Sequence, residues 1–141
     1  MLQVERLKIL SAALRKDAVD PKGTSFSLST WLKFDERKGP AIECGTEACA
    51  VGLACLTPEL QAQGLRYIRV SYAHDDQQGP YAVPAFGTAR DWEAVEEFFG
   101  LTDEEAFHLF NQDAYPGCWT YGEKGEILVA DRIDALIASR A

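Results

Sequence analysis

Hydrophobic residues near the start of the chain recur every three or four positions, which is the period of an amphipathic helix. Charged residues separate the apolar positions Val4, Leu7, Leu10 and Leu14. We therefore predict a helix over residues 2–16, with its apolar stripe facing the core. Asp, Pro, Gly and Ser interrupt residues 17–30, so this part is predicted to be a connecting segment. The charged residues 33–40 end in Gly-Pro and predict an exposed turn.

Residues 44–56, CGTEACAVGLACL, contain three of the four cysteines together with small residues. Thr46 is a suitable N-cap, because its hydroxyl can accept a hydrogen bond from a first-turn amide. These features predict a helix over residues 46–56. Its small side chains, Ala48, Gly52 and Cys55, would let another backbone approach closely, so the helix is expected to lie in the core.

The hydrophobic period changes from helical to alternating after this block. Residues 66–73 alternate and are rich in β-branched and aromatic side chains, which predicts a strand. A polar loop then leads to residues 81–86, predicted as a second strand that Pro84 restricts to an edge or a short pairing. An antiparallel β-hairpin near residues 66–86 is the simplest arrangement.

The rest of the chain has a helical pattern. Thr88 and Asp91 are competing caps for a helix that Gly100 should end. Thr102 and Glu105 fit a capping box, in which each side chain bonds the other residue's amide. A last amphipathic helix is marked by Val129, Ile133, Leu136 and Ile137. The fold class predicted from these elements is α+β: a mostly helical single domain, residues 1–141, with a small β-hairpin.

The chain has 22 acidic and 14 basic side chains, a formal net charge of −8. This charge opposes binding to phosphate backbones and to anionic membrane surfaces, so neither nucleic acid nor membrane is expected as a partner. An acidic surface can instead dock on a basic protein. The N-terminal residues lack a basic patch followed by an apolar block, and a cytoplasmic location is expected.

The cysteine block permits three interpretations: small core residues, a redox pair or a metal site. Cys49 follows Thr46 by three positions, and a thiol near a helix N-terminus can have a lowered pKa. Cys44 would then act as the resolving thiol. A tetrahedral zinc site would recruit Cys44, Cys49 and Cys118 with His74 or His108, although the spacing gives little support. Buried core residues are the favoured interpretation, and no cofactor is predicted.

Other chemical signals in the sequence are weak. Trp31 and Trp119 are expected to be packing anchors, with a ligand groove beneath them as the alternative. The residues 74–76, His-Asp-Asp, are typical of a solvated turn. The sequence has no glycine-rich phosphate loop, nucleophile elbow or HExxH pattern.

Three segments resemble a family of small uncharacterised bacterial and phage proteins. They are FSLSTW (26–31), CGTEACAVGLA (44–54) and GLTDEEAFHLF (100–110). The family pattern is F-x-[ML]-x-x-W, C-G-T-x-x-C-x-x-G-x-A and G-L-[ST]-x-x-x-A-x-x-L-F, in that order. Leu53 departs from the aromatic residue or His expected at its position. The resemblance implies a helix over residues 46–56 and no particular reaction.

These observations favour a non-catalytic interaction or regulatory module. Its expected partner is another protein or a second copy of the same chain. The alternative is a thiol-dependent redox protein in which Cys49 attacks and Cys44 resolves.

Overall fold

The structure is a computed structural model that describes residues 1–21, 24–34, 46–70 and 81–140. The described helices are α1 (Val4–Val19), α2 (Ala50–Cys55), α3 (Pro58–Gln61), α4 (Asp91–Phe99), α5 (Asp103–Phe110) and α6 (Gly122–Ser139). The described strands are β1 (Thr24–Phe26), β2 (Leu32–Lys33), β3 (Thr46–Ala48), β4 (Arg66–Val70), β5 (Tyr81–Phe86) and β6 (Ala89–Arg90). Single 3₁₀ turns at Gln112–Ala114 and Gly117–Trp119 connect α5 to α6. No helix in these ranges is long and apolar enough to span a membrane.

The described strands form one mixed sheet in the order β1-β3-β2-β5-β4, with β6 beside β5. β1 and β3 are parallel, and the other pairs are antiparallel. The predicted α+β class is therefore confirmed, as is the antiparallel pairing of β4 with β5. The hairpin is part of a larger sheet, however, because β1, β2 and β3 were not predicted.

Of the two predicted effects of Pro84, an edge position or a short pairing, the structure has the short pairing, on one side of β5. β5 pairs with β4 along one side, where Pro84 lies opposite Tyr67. On its other side β5 pairs first with β2, through Tyr81 and Ala82, and then with β6, through Ala85 and Phe86. Pro84 falls between the two short partners, so an interior strand tolerates a residue without an amide hydrogen.

The helix predicted over residues 46–56 begins later than expected, so the prediction is wrong for its first third. Thr46–Ala48 is the strand β3, which pairs with β1 on one side and β2 on the other. Strand pairing on both sides outweighs the local capping tendency of Thr46, because it satisfies the same backbone groups. The helix begins after Cys49, whose sulfur accepts a hydrogen bond from the Gly52 amide at 3.4 Å.

Helix α2 nevertheless lies in the core, as its small residues predicted. Ala50, Val51, Gly52, Ala54 and Cys55 are buried. A Cβ atom added to Gly52 would stand 1.8 Å from the main-chain oxygen of Trp31 and 3.1 Å from the Ala48 Cβ. The absence of a side chain at residue 52 therefore lets the backbone before β2 rest directly on α2.

The long helices α1 and α6 pack against each other more extensively than any other pair of elements. Leu7, Leu10 and Leu14 of α1 are fully buried, as the helical period predicted. At the edge of this contact the Ser11 hydroxyl donates to Asp134 at 2.7 Å. The Arg15 guanidinium donates to Asp134 at 2.6 Å and to Asp131 at 2.8 Å. Apolar burial stabilises the pair, and these bonds fix its orientation.

The connection between α4 and α5 follows the sequence signals closely. Gly100 ends α4 with a φ of 68°, in the left-handed region that favours glycine. The capping box is present: the Thr102 amide donates to the Glu105 carboxylate at 2.9 Å, and the Glu105 amide donates to the Thr102 hydroxyl at 3.2 Å. Neither predicted cap of α4 is used, because the helix begins after Arg90 and Asp91 is already its first residue.

Replacing Gly52 with alanine is expected to destabilise the fold by roughly 2–4 kcal/mol, because the new methyl group collides with the Trp31 carbonyl oxygen. Gly117→Ala is the matched control, since a Cβ there meets nothing within 4 Å. The control should change the free energy of unfolding by about 0.5 kcal/mol or less. Urea denaturation followed by tryptophan fluorescence measures both. If G52A and G117A had equal free energies of unfolding, the close approach of the Trp31 carbonyl oxygen to Gly52 would be contradicted.

Candidate functional site

The described residues enclose three cavities of interest, and the first is the Trp pocket. It has a volume of about 230 Å³. Its lining consists of Leu28, Ser29, Thr30, Trp31, Cys49, Trp92, Phe110, Asn111 and Gln112. The Trp31 and Trp92 rings meet edge to face, with centroids 4.7 Å apart and planes at 61°. This geometry is favourable for an aromatic pair, so both indoles contribute to packing as well as to the cavity wall.

Cys49, a wall residue of the Trp pocket, is only 3% exposed. Its amide donates to the Trp31 carbonyl oxygen at 3.2 Å, and its thiol lies 3.5 Å from the same oxygen. Burial raises the pKa of Cys49 to about 11, although backbone amides including that of Gly52 act in the opposite direction. Desolvation of the thiolate thus outweighs the helix N-terminus, which does not support the lowered pKa that the redox alternative requires.

The other cysteines differ in exposure. Cys55 is buried beside the Arg66 carbonyl oxygen, 3.5 Å from its sulfur, and burial also raises the pKa of this thiol. Cys118 is exposed in a 3₁₀ turn. Cys44, the proposed resolving thiol, lies outside the described residues. Cys49, Cys55 and Cys118 are all free thiols.

The structure gives no geometry for the predicted zinc site as a whole. Cys44 and His74 lie outside the described residues. Cys49 is buried, whereas Cys118 and His108 are exposed on other elements. Within residues 1–21, 24–34, 46–70 and 81–140, no group of three or more His, Cys, Asp or Glu side chains is arranged to hold a metal ion.

Trp31 and Trp119 do not line one cavity in the described part of the chain. Trp119 lies over α6, in a cavity that it shares with Lys124, Ile127 and Leu128. The aromatic partner of Trp31 is Trp92 instead. The structure therefore does not bring together the two residues of the alternative groove, Trp31 and Trp119; α4 places Trp92 beside Trp31 instead.

The second cavity is a groove between α1 and the α2–α3 corner, with a volume of about 590 Å³. We call it the α1–α2 groove. Its lining comprises Ile9, Ala12, Ala13, Lys16, Asp17, Asp20, Leu53, Leu56, Thr57, Pro58 and Glu59. Ile9, Leu53 and Leu56 are half-buried, so apolar side chains form its floor while charged residues stand at its rim. No local sequence pattern indicates this groove, because it forms where separate helices pack together.

The third cavity, which we call the acidic pocket, has a volume of about 390 Å³. Its lining comprises Asp17, Ala18, Pro21, Ser25, Phe26, Tyr121, Gly122, Glu123 and Glu126. Glu126 is only 2% exposed, and its Oε2 atom has no hydrogen-bond partner among the described residues. Burial, followed by the nearby carboxyl groups of Asp17 and Glu123, raises the pKa of Glu126 to about 9. A buried carboxyl group that lacks one partner is costly, which makes this position unusual.

Glu126 was missed in the sequence although a signal exists. It precedes Val129 by three residues and therefore lies on the same helix face as Val129, Ala130 and Ile133, all of which are buried. A glutamate on the apolar stripe of an amphipathic helix is the pattern that indicates a buried carboxyl group.

No family model, curated protein or solved structure matches this chain. The resemblance to small bacterial and phage proteins therefore stays a prediction. The candidate sites depend on geometry and chemistry alone.

We expect thiol labelling to separate the described cysteines by burial. In a Cys44→Ser background, a disulfide reagent at neutral pH should react rapidly with Cys118 alone, because Cys49 and Cys55 are buried. Adding Cys118→Ser should remove the fast phase, and urea should expose the two remaining thiols. Mass spectrometry identifies the labelled residue. Rapid native labelling of Cys49 would contradict the burial argument and favour the redox alternative.

The raised pKa of Glu126 predicts a specific pH dependence of stability. With a folded pKa of about 9 and an unfolded pKa near 4.3, the folded protein holds an extra proton between these values. The stabilising contribution of Glu126 is therefore complete below about pH 4 and is lost as the pH rises towards 9. Glu126→Gln should gain stability relative to wild type between pH 5 and 8, by roughly 4 kcal/mol if the whole shift is expressed, because each pH unit is worth about 1.4 kcal/mol.

Urea denaturation at pH 5 and pH 8 measures this difference. Glu104→Gln, at an exposed position of α5, is the control and should keep a nearly constant difference from wild type. The raised pKa is refuted if the E126Q and wild-type stabilities change in parallel.

Proposed function

We propose that the protein is a non-catalytic interaction module that docks a helical segment of another protein. The docked segment carries an apolar face flanked by basic residues. The observation that supports this proposal is the α1–α2 groove, which combines a cavity of about 590 Å³ with an apolar floor and a charged rim. Amphipathic helices bind such grooves through anchors spaced three and four residues apart.

The size of the α1–α2 groove suits side-chain anchors. A volume of about 590 Å³ lies within the range of about 300–1,000 Å³ that is typical of binding pockets. The half-buried side chains of Ile9, Leu53 and Leu56 offer apolar surface that a partner would remove from water. Burial of that surface would supply most of the binding free energy.

Charge indicates which kind of segment fits. The rim carries the acidic residues Asp17 and Glu59 as well as Lys16, and the whole chain has a net charge of −8. Basic residues beside the apolar anchors would therefore be attracted to the groove and would increase the rate of association. The same net charge argues against nucleic acid and anionic membranes as partners.

The alternative function, thiol-dependent redox chemistry by Cys49 and Cys44, has less support. A nucleophilic cysteine needs an accessible thiolate, whereas Cys49 is buried and its pKa is raised to about 11. We place the interaction in the cytoplasm, where free thiols such as Cys49, Cys55 and Cys118 are typical.

A fluorescently labelled amphipathic peptide tests the proposal. Its leucines recur every three or four residues, so that they share one helix face, and lysines occupy positions beside that face. Ala12 is an exposed groove residue of α1, so Ala12→Glu places a charged side chain in the groove at little cost to folding. We expect A12E to weaken peptide binding by roughly tenfold or more in fluorescence anisotropy, because the apolar anchors lose their site.

Ala138→Glu is the matched control, since Ala138 is an exposed alanine of α6 and the substitution adds the same charge. Its affinity for the peptide should equal that of wild type. A peptide with the same composition but scrambled leucine positions should bind weakly to all three proteins. If A12E and A138E weakened peptide binding equally, the proposal that the peptide binds in the α1–α2 groove would be refuted. Light scattering that shows a dimer dissociated by A12E would overturn the partner proposal in favour of self-association.

A further inference from the structure

We propose that the acidic pocket binds a guanidinium group, carried by a small alkylguanidine or by an arginine side chain of a partner. The pocket is bounded by the last turn of α1, by β1 and by the first turn of α6. This site goes beyond the docking function of the α1–α2 groove, and the two cavities share only Asp17.

The first support is the arrangement of carboxyl groups. Asp17 comes from α1, whereas Glu123 and Glu126 come from α6. Glu126 is almost completely buried, and its Oε2 atom lacks a hydrogen-bond partner in the described part of the chain. A buried acceptor without a donor carries a desolvation penalty, which an N–H group entering the pocket would relieve.

The second support is the mixed character of the pocket wall. Phe26 and Tyr121 add aromatic surface beside the carboxyl groups. Tyr121 is 62% exposed, so its ring is accessible from solvent. A guanidinium group offers several N–H donors in one plane and stacks on aromatic rings, and it is less strongly hydrated than an ammonium group. It therefore suits a cavity that combines acceptors with aromatic carbon better than an ammonium ion does.

Binding of a cation should be coupled to loss of a proton. The pKa of Glu126 is raised to about 9, so the empty pocket holds a protonated carboxyl group near neutral pH. The carboxyl groups that line the pocket with it are Asp17 on α1 and Glu123 on α6. The Tyr121 phenol lies just before α6, and β1 contributes the uncharged Ser25 and Phe26. A guanidinium ion favours the ionised carboxylate, so the Glu126 proton leaves to solvent when the ion binds.

Isothermal titration of the intact protein with N-butylguanidinium at pH 8 tests the proposal. Wild type should bind this ion more tightly than N-butylammonium, and Glu126→Gln should weaken its binding roughly tenfold because a charge-assisted hydrogen bond is lost. Repeating the titration in buffers of different ionisation enthalpy should show proton release by wild type and none by E126Q. Glu104→Gln, which removes an exposed charge from α5, should behave as wild type.

Further arms identify the source of the group. Binding of N-acetyl-arginine methylamide as tight as that of N-butylguanidinium supports a partner's arginine, and binding of N-butylguanidinium alone supports a free alkylguanidine. Equal affinities of wild type and E126Q, or binding without proton release, would overturn the proposal. Because A12E leaves the acidic pocket intact, failure here is distinguishable from failure of the groove.

Discussion

The contact between the Trp31 main chain and helix α2 is the constraint on which the rest of the structure depends. The Trp31 carbonyl oxygen accepts the Cys49 amide and occupies the space that a side chain at Gly52 would fill. This contact joins the start of β2 to the start of α2, and β2 in turn joins β3 to β5. The sheet and the central helix therefore have a fixed relation, and the Trp pocket lies where they meet.

The helices carry the two sites that we assign, and α1 contributes to both. One side of its last turns faces α2 and α3 across the α1–α2 groove, and Asp17 also lines the acidic pocket with residues of α6. A partner with an apolar helix and a nearby arginine could thus contact both the α1–α2 groove and the acidic pocket, which share Asp17. Asp17 also contributes to the raised pKa of Glu126, so one carboxyl group of α1 affects both cavities.

Sequence periodicity predicted the helices well, because an apolar stripe and a capping box are local features. Both the Thr102–Glu105 box and the buried face of α1 are examples. The strand Thr46–Ala48 was missed because its pairing partners, β1 and β2, come from earlier parts of the chain, and no local sequence pattern predicts such pairings. For Cys49 the small residues around it favoured a buried core position, but the sequence could not show that burial outweighs the helix N-terminus and raises the pKa of the thiol. The groove and the acidic pocket arise only from the packing of separate elements.

The pairing of α1 with α6 has a consequence for biosynthesis. α1 leaves the ribosome before α6, the described element against which it packs most extensively, because α6 begins about a hundred residues further along the chain. The leucine face of α1 thus remains uncovered by its main neighbour until α6 has also been synthesised. Contacts between segments so far apart in sequence form late in folding, and apolar surface that stays exposed until then promotes aggregation.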